Sequence, residues 1–329
     1  MSDVTAALVR HWIDTDRLTL PLPGSGGTTE RWRRLASLAE EDLVAARIAE
    51  AHSDAVAILH ELGGSSPSSD QLWGVWAAEA RDISLTATTD TNGAVILDGV
   101  KPWCSGAGFC SHALVTAALR DSAEPRRGLF AVALESSAVT AQPSTWSNVG
   151  MAGADTRAVQ FTGAPAVVVG KPGDYLERPG FWHGAVGVAA CWLGGARRVA
   201  ETLYCRCAEE STDPHMLAHL GAVDAALAAG QSMLTDAGAH IDRDPFDRTK
   251  TARLLALRVR TVVEHAADEA ISRTGRALGP GPLSQDGPHA QRVADLTLYI
   301  RQSHAEKDLA QLGQLAATHY DATAARRRS

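Results

Sequence analysis

Val95-Ile96-Leu97-Asp98-Gly99-Val100-Lys101-Pro102-Trp103-Cys104-Ser105-Gly106-Ala107-Gly108 is the stretch on which the reading of the fold turns. Val95 to Leu97 resumes a strand pattern that Ile83-Ser84-Leu85-Thr86-Ala87-Thr88 begins with a period near two. Between them Thr91-Asn92-Gly93 supplies a hairpin turn, and Asp98-Gly99 reads as a second turn. Downstream come the apolar runs Ala113-Leu114-Val115-Thr116-Ala117, Leu129-Phe130-Ala131-Val132-Ala133-Leu134 and Ala158-Val159-Gln160-Phe161, separated by polar or Pro/Gly segments. Short strands at this spacing, with no helices between them, predict a sandwich or small barrel. Gly106-Ala107-Gly108 lacks a third glycine and a following βα unit, so it is no dinucleotide fingerprint.

On both sides of this region the period becomes helical. From Thr29 to Leu62 the residues Leu35, Leu38, Leu43, Ile48, Val56, Ile58 and Leu59 recur at helix spacing, with acidic Glu40, Glu41 and Asp42 among them. Gly63-Gly64-Ser65-Ser66-Pro67-Ser68-Ser69-Asp70 then breaks any helix. From Phe181 the helical period returns, and helices are expected over 181–210, 214–240, 246–274 and 288–318. Asp213-Pro214, Asp244-Pro245 and Gly279-Pro280-Gly281-Pro282 punctuate them. Four such helices pack as an antiparallel bundle. The expected class is α+β: N-terminal helices over 1–71, a middle β-barrel or sandwich domain over 72–175, and a C-terminal four-helix bundle over 176–329.

Composition narrows the function classes. In 329 residues, 45% are apolar and 21% charged, which excludes a disordered chain, a collagen and a coiled-coil rod. A net charge of −7, from 38 acidic against 31 basic side chains, argues against a nucleic acid or an anionic membrane as partner. Arg326-Arg327-Arg328 reads as a solvated terminus. The five cysteines (Cys104, Cys110, Cys191, Cys205, Cys207) are odd in number and hold no C-x-x-C pair, so neither a disulfide framework nor a zinc site is expected. His215 and His219 stand at i, i+4 without an acidic partner, and no metal is expected. The first twenty residues carry Asp3, Asp14 and Asp16 and do not read as a signal peptide; every apolar run is too short or too broken by charge to span a bilayer. A cytoplasmic location is expected.

The order helices, β-domain, bundle is that of the acyl-CoA dehydrogenase family, and the residues resemble it. Val95 to Gly108 resembles the family's "L-x-G-x-K-x-[WF]-[ICV]-[TS]-[NG]-[GA]" strand and turn. Trp146 with Val149-Gly150-Met151-Ala152-Gly153-Ala154-Asp155-Thr156 resembles "W-x-x-x-G-M-R-x-[ST]-x-[ST]", and Val159 to Ala166 stands where the family has "V-x-F-[DE]-[DN]-V-x-V". Ala266-Ala267-Asp268-Glu269-Ala270 through Gly275 resembles the helix ending in "A-Q-x-x-G-G". The resemblance spans about residues 40 to 318, with a helical part before the β-domain that is short for the family.

The resemblance implies FAD, held between β-domain and bundle. Carried over by position, Trp103 and Ser105 contact the isoalloxazine: an indole covers an apolar ring face, and a hydroxyl donates to the electron-rich edge. The same residues also read as a core tryptophan and as a turn hydroxyl capping Gly106. Gly275 falls in the cofactor-binding "Q-x-x-G-G" helix, whose glutamine is here Ser272 and whose second glycine is Arg276. Arg276 is read as a charge for a cofactor phosphate or as a solvated helix end. The family's "T-E-x-x-x-G-S-D" loop is replaced by Leu72-Trp73-Gly74-Val75-Trp76-Ala77-Ala78-Glu79, and "R-x-x-F-G" is not recognisable.

The resemblance also implies an oxidoreductase acting on CH–CH groups of an acyl thioester or related small substrate, acyl-CoA among them. That chemistry needs a carboxylate base. The two family positions for it fall near Ser303 and near Gly184-Ala185, and neither is acidic. His304 is the titratable candidate for catalysis, since imidazole titrates near neutrality. Glu306 and Asp308 are read as partners of Arg301 and Lys307. Arg301-Gln302-Ser303-His304-Ala305-Glu306-Lys307-Asp308 resembles the "R-x-x-H-x-E-x-D" of the fold's flavin monooxygenases more than it resembles "Y-E-G-T". A monooxygenase therefore stays open beside the dehydrogenase, as does a non-catalytic subunit that assembles with a catalytic paralogue. A homo-oligomer, dimer or tetramer, or a hetero-oligomer with that paralogue, is expected.

Overall fold

The computed structural model describes residues 2–81, 84–89, 93–120, 126–209 and 213–328, with side chains as far as residue 320. Ile83, the Thr91-Asn92 part of the hairpin turn and the side chains of Arg326 to Arg328 lie outside the described residues. The chain forms two compact units, Met1–Leu20 with Val44–Phe181, and Pro21–Leu43 with Trp182–Ser329. The expected order of N-terminal helices, strand domain and C-terminal helices is the observed one.

In the first unit, helix α1 (Ser2–Asp14) turns Thr5, Val9 and Trp12 inward. The sequence reading did not assign this helix. α3 (Leu43–Leu62) buries Ala55, Ile58 and Leu59 against Trp73, Leu114, Leu129 and Val169. The strands are β1 (Trp73–Trp76), β2 (Leu85–Thr89), β3 (Val95–Cys104), β4 (His112–Leu119), β5 (Arg127–Ala133), β6 (Val139–Ala141) and β7 (Arg157–Val169). β1 pairs in parallel with the start of β4, Trp73 opposite His112, and β2 takes over beside its end, Ala87 opposite Leu119. From β2 the ladder runs antiparallel through β3, β7 and β5 back to β4, so the sheet closes on itself. Closure removes the exposed edges that an open sheet would carry. Trp76, Leu97, Val115, Phe130 and Phe161 fill the interior. The expected turn at Asp98-Gly99 lies instead inside the continuous strand β3, opposite a bulge in β7: Leu97 pairs with Ala164 and Gly99 with Phe161, so Thr162 and Gly163 both face Asp98, and Gly99 takes φ 120°. Only glycine adopts that angle without strain, so the strand kinks there and does not end.

A short helix α4 (Asp174–Glu177) is the last element of the first unit, and the second unit holds α2 (Thr28–Glu41), α5 (Gly180–Glu209), α6 (Pro214–Arg243), α7 (Ala252–Leu278), α8 (Gly281–Gln285), α9 (Gly287–Tyr299) and α10 (Glu306–Arg328). α5 is the central rod, with Val186, Trp192 and Leu203 fully buried. Asp213 caps α6 as expected, accepting from the N–H groups of His215 and Met216. α7 starts at Ala252 rather than at 246. Asp244 accepts the N–H groups of Arg248 and Thr249, and Asp247 those of Thr251 and Ala252, so these carboxylates hold the intervening residues in turns. The helix expected over 288–318 is two helices. A 3-10 turn at Ile300–Gln302, an extended Ser303 (ψ 142°) and Ala305 at φ 46° separate α9 from α10. No helix among the described residues is long and apolar enough to cross a membrane.

Candidate functional site

Trp103 owes its position to a fault in the β3–β7 ladder. Lys101 pairs with Val159 and Cys104 with Arg157, so Pro102 and Trp103 oppose the single residue Ala158. Proline cannot donate to the ladder, and an extra residue in one strand re-aims the next side chain. Both neighbours are pinned inward. Cys104 is fully buried. Lys101 is 1% exposed, and its Nζ donates to Glu79 Oε1 (2.7 Å), Thr116 Oγ1 (2.9 Å) and the Thr116 carbonyl (2.9 Å). Burial pulls the Lys101 ammonium below its ordinary pKa, with the Glu79 carboxylate opposing the shift. Trp103 between them stands at φ 57° and is 61% exposed. A bulky residue in the left-handed region costs about 1–3 kcal/mol, and such strain concentrates at functional sites.

The turn after β3 is fastened to the segment before β7. Gly106 N–H donates to the Ala154 carbonyl (2.8 Å), Ala107 N–H to the Asp155 carbonyl (3.3 Å) and Gly108 N–H to Asp155 Oδ2 (2.9 Å). Gly106 lies at φ 75°, where a Cβ would sit 2.5 Å from Cys110 Sγ, and a Cβ on Gly108 would strike Asp155 Oδ2. Both glycines are therefore demanded by space, one of them also by backbone angle. Asp155 is buried at φ 45° and takes Arg157 Nε on its other oxygen at 2.6 Å; Met151 stands at φ 55°. Three non-glycine residues in the left-handed region thus share one small patch. Within it Ser105 Oγ lies 3.0 Å from Thr156 Oγ1, and the Ser105 carbonyl accepts Trp76 Nε1–H at 3.0 Å.

The other sequence-derived candidates belong to the second unit. Gly275 and Arg276 lie in the last turns of α7, with open space around the Gly275 Cα and an exposed Arg276. His304 is not on a helix. It occupies the link between α9 and α10 with a side chain 70% exposed, its N–H donating to Asp308 Oδ2 (3.1 Å) and its Nδ1 3.4 Å from Asp308 Oδ1. Arg301 pairs with Asp268 (2.9 Å) and lies 3.9 Å from Glu264, both on α7, and not with Glu306 or Asp308 as the sequence suggested. A polar cavity of about 210 Å³ opens here, lined by Arg260, Glu264, His265, Asp268, Arg301 and Ser303 among others. Arg260 lies over the Trp192 ring at 4.5 Å and donates to the Ala185 carbonyl at 2.9 Å. Among the described residues no cluster of three or more His, Cys, Asp or Glu is arranged to hold a metal ion.

No protein-family model matches the chain, and no curated protein does. Solved structures match it along nearly its whole length. Dibenzothiophene monooxygenase TdsC of Paenibacillus sp. A11-2, solved with FMN and indole, is 17% identical with a TM-score of 0.80, over 97% of this chain and 95% of that one. Butyryl-CoA dehydrogenase of Megasphaera elsdenii is 16% identical with a TM-score of 0.75, over 86% of this chain and 80% of that one. The chain has the acyl-CoA dehydrogenase fold. A nitrososynthase of Micromonospora carbonacea var. africana shares it at 16% identity and a TM-score of 0.77, over 93% of this chain and 88% of that one.

Within this acyl-CoA dehydrogenase fold the structure brings Trp103 and Ser105 together on one turn. It adds three residues to which the sequence reading assigned no role: Trp76, Asp155 and Thr156. Asp155 and Thr156 stand inside a quoted motif, and the signal that could have marked them was an aspartate beside small residues, suited to a left-handed turn. Trp76 carried no such signal, because its indole N–H meets the Ser105 carbonyl, distant in sequence, only in the folded unit.

Proposed function

We propose that this protein is a flavin-dependent oxidoreductase acting on a small organic substrate. The observation that carries the reading is Trp103: a strained, outward-aimed indole on a rigid bulge, beside the Ser105–Thr156 hydroxyl pair. A ring system of flavin type fits those groups. The indole would cover one face of it, and the Ser105 hydroxyl would hydrogen-bond its edge. What a bound flavin supplies is two-electron chemistry, with dioxygen available as an acceptor. FAD follows the family resemblance, while the FMN seen with TdsC supports the smaller cofactor. Gly275 and Arg276 are assigned to cofactor binding, Arg276 as a cation for a phosphate. His304 is assigned to proton transfer, with Asp308 orienting its ring. We expect a cytoplasmic oligomer, of this chain alone or with a paralogue, without nucleic-acid or membrane partners.

Two reaction classes fit this reading. An acyl thioester oxidised at a CH–CH bond follows from the resemblance to the dehydrogenases. Flavin monooxygenation is favoured by a specific observation: the absence of a carboxylate at Ser303 and at Gly184-Ala185 removes the base that thioester oxidation needs. The test is an absorbance scan of the purified full-length chain, titrated with FMN and with FAD, then mixed with a panel of thioesters. Tight uptake of flavin without bleaching by any thioester supports the monooxygenase. A colourless protein that takes up neither flavin overturns the enzyme reading and points to the non-catalytic subunit.

A further inference from the structure

We infer that Thr156 is a positioning residue for the cofactor: its hydroxyl donates to Ser105 Oγ and so frees the Ser105 proton for the flavin. The inference rests on the flavin reading above and adds to it the residue that sets the hydrogen-bond direction.

The Ser105 backbone is fixed on both sides. Its carbonyl accepts Trp76 Nε1–H at 3.0 Å, and the next N–H, that of Gly106, donates to the Ala154 carbonyl at 2.8 Å. What remains adjustable is the hydroxyl. A hydroxyl holds one proton and two acceptor positions, so in the 3.0 Å pair with Thr156 only one partner donates. If Ser105 donates to Thr156, its proton is consumed inside the protein and the ring edge meets lone pairs alone. If Thr156 donates to Ser105, the Ser105 proton is available outward, beside the exposed Trp103 ring. Thr156 can take the donor role because its oxygen is held in place while its proton turns freely: it is β-branched with a stiff χ1, and it follows Asp155, whose buried carboxylate is tied to Gly108 N–H and Arg157. The segment that presents Thr156 is thus as rigid as the turn that presents Ser105. A chain of two hydroxyls aimed in one direction polarises the second, which strengthens its donated bond.

A plain staple between the two segments would use the same contact, so the test separates the two roles. Thr156→Val keeps the shape and removes the hydroxyl. Thr156→Ser restores it. Both are made in the wild-type and in the Ser105→Ala background of the full chain, and the dissociation constants for FMN and FAD are read by fluorescence, with the melting temperature of the flavin-free protein alongside. Thr156→Val is expected to weaken flavin binding ~5-fold, the factor that one net hydrogen bond carries. Thr156→Ser is expected within ~2-fold of wild type, and Thr156→Val is expected to add nothing once Ser105 is alanine. A lowered melting temperature with unchanged flavin affinity overturns the inference, as does an equal loss of affinity in both backgrounds. Should Thr156→Val not fold, Thr156→Ala carries the same comparison, and failure of both makes the role structural and the inference wrong. Wild-type protein that binds neither FMN nor FAD removes the functional reading and this inference together; wild-type protein that binds while Thr156→Val binds equally well removes this inference alone.

Discussion

The bulged turn at 103–108 and the helix break at 300–305 are both irregular, and both hold sequence-derived candidates, yet they are built in opposite ways. In the turn, backbone N–H groups and buried side chains fix the geometry: Gly106, Ala107 and Gly108 are bonded to 154–155, and Lys101 and Cys104 face inward. At the break, side chains do the fastening: the half-exposed Arg301 reaches Asp268 on α7, and the exposed His304 lies beside Asp308 at the start of α10. Backbone bonds formed in a buried setting hold position to a fraction of an ångström and lose heavily when removed. Exposed ion pairs contribute little and adjust freely. The turn therefore holds its side chains rigidly, whereas the break leaves its side chains room to adjust.

The largest expected effect that would break this contrast is at Asp155. Asp155→Ala removes the acceptor of Gly108 N–H and the partner of Arg157, and we expect a loss of about 2–3 kcal/mol in urea unfolding, with Asp155→Asn losing less. The matching change at the break, Asp308→Ala, is expected to cost under about 1 kcal/mol. Equal losses would erase the distinction.

Acidification sharpens the contrast next. On the barrel unit, His52 Nδ1 accepts the Trp73 N–H at 3.2 Å, and burial, then the nearby Arg10 charge, pulls the imidazole down from 6.5 to about 4. The folded state therefore holds His52 neutral between those values while the unfolded chain protonates it. The unfolded state binds more protons there, so stability is full above 6.5 and falls as pH drops toward 4. Between about pH 7.5 and pH 5 the expected loss is about 2 kcal/mol, at about 1.4 kcal/mol per pH unit below 6.5. His52→Gln should flatten that slope in paired unfolding curves; an unchanged slope would assign the pH dependence elsewhere.

Two glycine substitutions give the smallest shifts and the finest comparison. Trp103→Gly relieves a left-handed backbone and loses little packing, so the flavin-free protein is expected to gain about 1 kcal/mol. Its flavin affinity, by titration, is expected to drop at least ~10-fold, the loss of one stacked ring. A destabilised Trp103→Gly would mean that the indole packs structurally. Ala305→Gly relieves the same strain at the break and is expected to gain about 0.5–1 kcal/mol, read as a rise in melting temperature.

The sequence reached furthest where periodicity is local. Period-two runs gave the strands, Asp213-Pro214 gave the start of α6, and the apolar period from Phe181 gave the long helices. It failed where side chains distant in sequence decide a backbone angle. Asp98-Gly99 has the residues of a turn, but the ladders with β2 and β7 continue through it, and the extra residue there falls on β7. The period over 288–318 continues on paper, while Ser303 and Ala305 interrupt it in space.

What the sequence determined by itself is the order of elements, because helix and strand periods follow from burying one face of each element, and the motif residues Trp103 and Ser105, because they sit at fixed offsets in one strand and turn. Tertiary structure alone decided that Trp103 faces outward, that Ser105 is bonded to Thr156 some fifty residues on, and that His304 stands in a link and not on a helix. The reason is physical. Alternation tells which side of a strand a residue takes only while the ladder is regular, and an extra residue at Pro102–Trp103 resets the count. That reset is created by pairing with β7, a strand that the local sequence around Trp103 does not contain.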